Sequence, residues 1–280
     1  MHTKIKNSTS FVIAHFHPKG KVEQHLKQLI KYINKKISKK IVLVSTNITP
    51  EEVGNLSKYC KVISRENYGY DFWSYKIGND EFLDDSELSR IVFFNSSFIC
   101  LDPKILCNKA LPKVSKSLIR GLTFSTDKAA HLQSFWISFE GKLLINSNEY
   151  KSWWKNMIPI SDKSEVIEKY ELGMSQYFIN SGFDVSSVYK QSNNSNLVAV
   201  CRAIGNRLWA LDEVKELVQI EINAGLALNP THYLWDEVLE NLKIIKHDLL
   251  KNNPTKQDMH LILSSLSADE LILVEDALVS

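Results

Sequence analysis

Four short apolar runs in the first hundred residues each break off in small polar side chains. Phe11-Val-Ile-Ala-His-Phe16 carries His15 and passes into the turn His17-Pro-Lys-Gly20, and Ile41-Val-Leu-Val44 closes on Ser45 and Thr46. Val62-Ile63 runs into Arg65, Glu66 and Asn67, and Ile91-Val-Phe-Phe94 stops at Asn95-Ser96-Ser97. Runs this short, rich in β-branched residues and bounded by turn formers, predict strands. Between the first two, Val22, Leu26, Leu29, Ile30, Ile33 and Ile37 recur at helical spacing with lysines between them. That spacing predicts an amphipathic helix from Val22 to Ser38. Pro50-Glu51-Glu52 opens a short helix, and Tyr70 to Ile77 forms another after the third strand. Strand and helix in this alternation predict a mostly parallel sheet with right-handed crossovers. The four polar tips would then meet along one sheet edge, where open α/β sheets take their ligands.

The second half is less regular. Leu122-Thr-Phe124 and Leu132 to Phe139 read as strands, the latter long enough to lie across the sheet. Glu149 to Met157 and Glu165 to Asn180 read as helices. Leu197 to Cys201 reads as a strand, Tyr233 to Leu242 as a helix, and Gln257 to Ser280 as one or two amphipathic helices. The whole predicts an α/β domain over residues 1–254 with a helical C-terminal extension over 255–280. No Gly-x-Gly-x-x-Gly follows the first strand and no Walker-type lysine loop is present, so neither a dinucleotide site nor a P-loop is indicated.

Hydrophobic content of 44% and charged content of 24% are ample for a globular core. No apolar run approaches the roughly 18 residues of a membrane span. The first ten residues are polar, unlike a secretory signal, and the expectation is a cytoplasmic protein. The four cysteines form no metal-binding or redox spacing. Net charge is only +2, but ten lysines lie between Met1 and Lys40 against the single acid Glu23. They read either as a solvated helix face or as a peripheral contact with an anionic inner membrane face, worth on the order of 1 kcal/mol per lysine. No nucleic-acid motif accompanies them.

Arg65 offers a fork of donors suited to a diphosphate, Asn67 both a donor and an acceptor, and Gly69 an unusual backbone conformation. His15 and His17 could bind a metal as a pair, but no third ligand is obvious nearby. Enzymes acting on nucleotide sugars commonly hold magnesium or manganese on carboxylates after the fourth strand. Here that position reads Asn95-Ser96-Ser97, and amide and hydroxyl oxygens bind such ions weakly. A general base would be Asp or Glu, with Asp71, Asp127 and Glu171 as candidates. Among the tryptophans, Trp235 in Asn229-Pro-Thr-His-Tyr-Leu-Trp235 stands out as a face for a sugar ring.

Several of these pieces occur together in a known pattern: Ala14-His15, Arg65-Glu-Asn-Tyr-Gly-Tyr-Asp71, Phe93-Phe-Asn-Ser-Ser97, Gly121-Leu-Thr123 and His131-Leu-Gln-Ser-Phe135. They continue with Tyr170-Glu-Leu-Gly-Met-Ser175, Asn229 to Trp235 and Lys246-His-Asp-Leu-Leu-Lys-Asn-Asn-Pro254. From Phe11 to Asn253 the chain resembles the rhamnan synthesis protein F family of bacterial polysaccharide assembly. The resemblance implies a GT-A-like glycosyltransferase fold and a nucleotide-sugar donor such as dTDP-rhamnose. It also implies a lipid-linked glycan acceptor at the inner membrane face. In that family the cluster after the fourth strand usually reads Asn-Asp-Ser, whereas Ser96 stands here. On this reading His15, Ser45, Arg65, Asn67, Gly69, Tyr70, Asp71, Asn95, Ser96 and Ser97 hold the donor. Glu171 or Asp127 takes the acceptor proton in an inverting transfer, and His131, Gln133 and Trp235 line the acceptor side. The missing carboxylate keeps an alternative open, a non-catalytic transferase fold that binds glycan or serves as a scaffold.

Overall fold

Phe11 and Ile13 face one way from the first strand and Val12 and Ala14 the other, and none of the four is more than 1% exposed. A strand covered on both faces needs such a continuous apolar run. In the computed structural model, which describes residues 8–126, 129–206 and 228–279, both faces are indeed covered. On one, Phe11, Ile13, Leu43 and Phe94 pack with Leu26, Leu29 and Ile33 of the first helix; on the other, Val12, Phe93, Ile137 and Phe139 pack with Phe72, Tyr75, Trp154 and Phe178. Each fully buried side chain of this size contributes about 1.5–3 kcal/mol.

The strands are β1 (Thr9–His15), β2 (Ile41–Ser45), β3 (Lys61–Ser64), β4 (Arg90–Asn95), β5 (Phe98–Cys100), β6 (Leu118–Gly121), β7 (Phe124–Ser125), β8 (His131–Leu132), β9 (Trp136–Glu140), β10 (Val185–Ser187) and β11 (Ile244–Lys246). The main sheet runs β10-β6-β9-β4-β1-β2-β3. Its pairings are parallel except those of β9, which runs antiparallel between β4 and β6. Two small antiparallel pairs, β11 with β5 and β7 with β8, sit beside it.

Four helices follow the first strands: α1 (Gln24–Lys36), α2 (Pro50–Leu56), α3 (Tyr70–Asp80) and α4 (Pro103–Ala110). The α2 start is fixed by Pro50 and by the Thr49 hydroxyl, which accepts from the Glu52 amide. α3 lies close on β1 because position 78 is glycine: a Cβ there would stand 2.2 Å from Val12 Cγ1. Helices α5 (Lys142–Ile145), α6 (Asn148–Lys155), α7 (Lys163–Val166), α8 (Gly173–Asn180) and α9 (Asn193–Asn206) cover the second half. The terminal helices Met259–Ser264 and Ala268–Leu278 bury Ile262, Leu273 and Val274 against Ile99, Leu101 and Trp235.

The mostly parallel sheet, flanking helices and helical C-terminus agree with the fold class read from the sequence. Four segments differ. At the expected strand Leu122–Phe124, Leu122 and Thr123 form the link between β6 and β7 and only Phe124 is in a strand. The Leu132–Phe139 run is broken into β8 and β9. The expected strand at Leu197–Cys201 is part of α9, whose buried Ser195, Ala199 and Ala203 recur every fourth residue. The helix expected from Glu165 to Asn180 contains a π-helical turn at Ile167–Leu172. Cys60, Cys100 and Cys107 are buried free thiols, and Cys201 is exposed. Of the N-terminal lysines, Lys27 pairs with Glu52 and Lys40 with Asp85, so part of that charge is matched within the fold.

Candidate active site

Register places Ala14 beside Asn95, His15 beside Ser45, and Ser45 beside Ser64. The polar tips therefore do stand along one sheet edge. Their chemistry divides into two halves.

On the β1-β2-β3 half, His15, Ser45 and Arg65 are committed to the protein itself, whereas Thr46 Oγ1 and His17 Nε2 have no hydrogen-bond partner among the described residues. His15 is 1% exposed; its Nε2 donates to the Lys21 carbonyl at 3.0 Å, and its Nδ1 meets the Ser45 hydroxyl at 2.8 Å. A carbonyl only accepts, so a ring proton sits on Nε2; the Ser45 hydroxyl lies within hydrogen-bond distance of both Nδ1 and the Asn47 carbonyl, at 2.8 and 2.9 Å. Burial holds the imidazole down to about 4, aided by His17 and opposed by the Lys21 carbonyl and Glu52. His17 likewise accepts the Lys19 and Lys21 amides at Nδ1. Arg65 is the clearest correction. Its Nε and one terminal nitrogen donate to Ser74 Oγ at 3.0 and 2.7 Å, and its other bonds reach the carbonyls of Glu66, Tyr68 and Tyr70 at 2.7, 2.5 and 2.8 Å. A guanidinium has five N–H donors, and none is left for a diphosphate. Arg65 instead holds the loop in which Gly69 and Tyr70 both adopt positive φ, +72° and +50°. A Cβ at Gly69 would lie 2.6 Å from Trp73 Cβ, so the turn depends on glycine. Asn67 and Tyr70 are exposed beside it.

Arg65→Lys, which keeps the charge but not the fork, is expected to speed amide hydrogen exchange at Tyr68 and Trp73, whose amides bond to the Glu66 and Gly69 carbonyls, about tenfold or more. Unchanged exchange would show that other contacts hold the loop.

The β4 half is different. Asn95 Nδ2 donates to Asp71 Oδ2 at 2.7 Å, and Asn95 Oδ1 accepts from the Ser97 amide and hydroxyl at 3.1 and 2.6 Å. Ser97 Oγ in turn accepts from Lys246 Nζ at 2.6 Å, and that ammonium stands 4.4 Å from the Phe135 ring centroid. Across from them Glu171 Oε1 accepts from the amide and hydroxyl of Ser134 at 2.8 and 2.9 Å. The Ser134 carbonyl is tied to the Tyr75 hydroxyl at 3.0 Å. Burial pushes the Asp71 carboxyl above its ordinary range, with Glu171 adding to the push; the Asn95 bond and the charges of Lys246 and Arg65 oppose it. Burial brings the Lys246 ammonium down to about 8 against the attraction of Glu171, Asp71 and Asp248. Glu171 belongs to the π-helical turn, a local distortion that recurs at functional sites. Three residues of this cluster, Ser134, Phe135 and Lys246, were not singled out as site residues from the sequence.

A cavity of about 350 Å³ opens beside the cluster, lined among others by Phe16, Ser96, Ser97, Lys246 and Lys251. Glu23 and His247 also line it, and together with His25 they bring one potential ligand atom each within 4.8 Å of one another. His25 Nδ1, however, accepts from the Cys100 amide at 3.3 Å. The ring proton therefore sits on Nε2, which offers no lone pair to an ion, and this donor set does not fit a metal as it stands.

The expected acceptor-side residues fare less well. Trp235 is 6% exposed and packs with Ile99, Leu101 and Leu249, leaving no open face for a sugar. Gln133 accepts from the Thr123 hydroxyl and donates to Asn229, and His131 donates from Nδ1 to the Ala129 carbonyl. All three act within the fold. Asp127 lies outside the described residues.

A family model for rhamnan synthesis protein F matches residues 41–202, more than half of the chain. The chain belongs to the rhamnan synthesis protein F family. Virulence protein VirA of Vibrio anguillarum (strain ATCC 68554 / 775) is 31% identical over 210 residues, covering 72% of this chain and 66% of that protein. An uncharacterized protein of Sinorhizobium fredii (strain NBRC 101917 / NGR234), y4gN, is 28% identical over 181 residues, covering 62% of this chain and 46% of its own. The match spans about two thirds of the first relative's length and under half of the second's. Among solved structures, the apo-form glycosyltransferase GlyE of Streptococcus pneumoniae TIGR4 gives a TM-score of 0.46 at 10% identity, covering 97% of this chain and 60% of that one. A putative glucose-1-phosphate thymidylyltransferase from Bacillus anthracis gives 0.38 at 11% identity, covering 66% and 87%. The rhamnan synthesis protein F match includes Asp71, Asn95, Ser97, Ser134 and Glu171, but Lys246 lies beyond it.

Proposed function

We propose that this protein transfers a sugar from a nucleotide diphosphate donor to a growing bacterial surface polysaccharide. The observation that carries the reading is the meeting, at the middle of the sheet edge and beside a cavity, of one amide, two carboxylates and one ammonium from distant parts of the chain. Family membership supplies the polysaccharide context. Asn95 fixes one oxygen of Asp71 and leaves the other without a protein hydrogen bond among the described residues, available to a sugar hydroxyl. Glu171 is likewise bound through Oε1 alone, and Oε2 is the proton acceptor. The acceptor hydroxyl gives its proton to Glu171 as its oxygen bonds to the anomeric carbon. The nucleoside diphosphate leaves with the electron pair, and the configuration inverts. Rhamnose as the sugar and a lipid-linked acceptor at the inner membrane face belong to the same proposal. No helix among the described residues is long and apolar enough to cross a membrane.

The committed donors of Arg65, His15 and Ser45, together with Ser96, favour a second reading, a binding subunit without turnover. Calorimetry with dTDP-, UDP- and GDP-linked hexoses, followed by an assay for slow hydrolysis of whichever binds, separates the two. Binding with hydrolysis is the expected result. No binding to any of these donors would refute sugar transfer and leave the subunit reading.

A further inference from the structure

The tip of β4 offers a divalent ion little that it prefers. Magnesium and manganese take hard oxygen donors, carboxylates foremost, and the tip reads Asn95, Ser96 and Ser97. Asn95 Oδ1 already accepts two hydrogen bonds from Ser97, and the one carboxylate at this tip, Asp71, accepts the Asn95 amide at Oδ2 and has a single oxygen left. An ammonium stands there instead. Lys246 Nζ has one hydrogen bond, to Ser97 Oγ, and one aromatic contact, with Phe135. An ammonium carries three donors. Among the described residues no carboxylate is ion-paired with Lys246, and two of its donors have no protein acceptor. Lys246 is half-buried at the cavity wall, and an under-bonded cation there gains from an anion that joins it. Ser97, Lys246 and Lys251 line the cavity described above, whose two carboxylates are the buried Glu23 and the exposed Asp248. Burial pushes the Glu23 carboxyl up to about 7, which lessens its opposition to an anionic ligand.

We infer that the Lys246 ammonium takes the place of the divalent cation at the donor diphosphate, so that this protein binds and activates its donor without metal. The inference rests on the sugar-nucleotide reading. As the anomeric C–O bond breaks and the diphosphate departs with the electron pair, the fixed ammonium faces the growing negative charge. No bond to lysine forms, and no proton has to move through it.

Calorimetry of the full chain with UDP, dTDP, GDP and inorganic pyrophosphate, with and without EDTA, tests this. The diphosphate that binds should do so equally in EDTA. Lys246→Met should weaken it about 10–100-fold, the loss of a charge-assisted contact, and Lys246→Arg should restore most of the affinity. The cognate nucleoside, which lacks phosphate, should bind wild type and Lys246→Met alike. The melting temperature of Lys246→Met should not fall, because a half-buried ammonium with a single protein hydrogen bond has been replaced by an apolar side chain of similar length. Should that variant fail to fold, Lys246→Gln serves in its place. Binding that EDTA abolishes and manganese restores, or affinity unchanged by the substitution, overturns the role of Lys246 and leaves sugar-nucleotide binding standing. Wild type that binds no diphosphate at all removes both.

Discussion

Glu140→Gln is expected to lower folding stability by about 3–5 kcal/mol, the usual result of removing one partner from a buried ion pair. Glu140 has no exposure at all and lies at the edge of the sheet opposite the candidate site, where it is paired in register with Arg90 and Leu118. Its Oε1 accepts from Arg120 Nε at 3.0 Å and from the Ser138 hydroxyl at 3.1 Å, and its Oε2 accepts from the Ser115 amide at 3.1 Å with Arg90 3.5 Å away. Arg90 is itself only 4% exposed, so the substitution leaves a guanidinium in the core facing a second one, Arg120. Burial alone would raise the Glu140 carboxyl, but the Arg120 bond, the Arg90 charge and the Ser115 amide outweigh it and hold it below its ordinary value of 4.5. A carboxyl lowered in the folded state gives stability that is present above its unfolded value and lost as pH falls through the folded one. The difference between wild type and Glu140→Gln in guanidinium midpoint should therefore be full at neutral pH and shrink on acidification below that ordinary value. Equal midpoints at pH 7 would show that the two arginines are satisfied without the carboxylate.

Glu171→Gln should slow donor hydrolysis or transfer by about 10²–10⁴-fold, the range lost with a general base, while the affinity for the nucleoside diphosphate changes little. The amide keeps an oxygen for the Ser134 amide and hydroxyl, so the π-helical turn and its anchorage survive. Only the ability to take a proton is lost. A single-turnover assay with the donor identified by calorimetry measures this directly. If kcat were unaffected, the base would have to lie elsewhere. Equal loss of binding and turnover would instead make Glu171 a structural support for the Ser134 segment.

The first half of the molecule was legible because its strands are buried on both faces. Four apolar runs, each closed by polar residues, leave few other readings, and the alternation with helices orders them into one edge. The Asn95-Ser96-Ser97 tip was visible for that reason. Lys246 was not, because its partner Ser97 is 149 residues away in sequence, and nothing local to Ile244-Ile245-Lys246 indicates an anion site. Arg65 was misread for the opposite reason. The fork that suits a diphosphate also suits a ring of backbone carbonyls, and the sequence cannot show which set of acceptors arrives first. The run Leu197–Cys201 read as a strand, but it is the small residues Ala199 and Ala203 that meet the core. Their helical spacing is easily overlooked because alanine carries so little apolar weight. Trp235 stood out as an aromatic near polar neighbours and proved to anchor the C-terminal helices.

The antiparallel course of β9 and the central place of β1 have a practical consequence for dissecting this protein. The family match begins at residue 41, yet β1, at Thr9–His15, lies between β4 and β2 in the sheet. A fragment cut to the matched limits would split into a β2-β3 pair and a separate β4-β9-β6-β10 ribbon, with the inner rims of both left bare. It would also lose β11 and with it Lys246. Truncation at those limits should give aggregation rather than a folded core, and expression of any smaller piece needs to begin upstream of Thr9 and continue past Lys246.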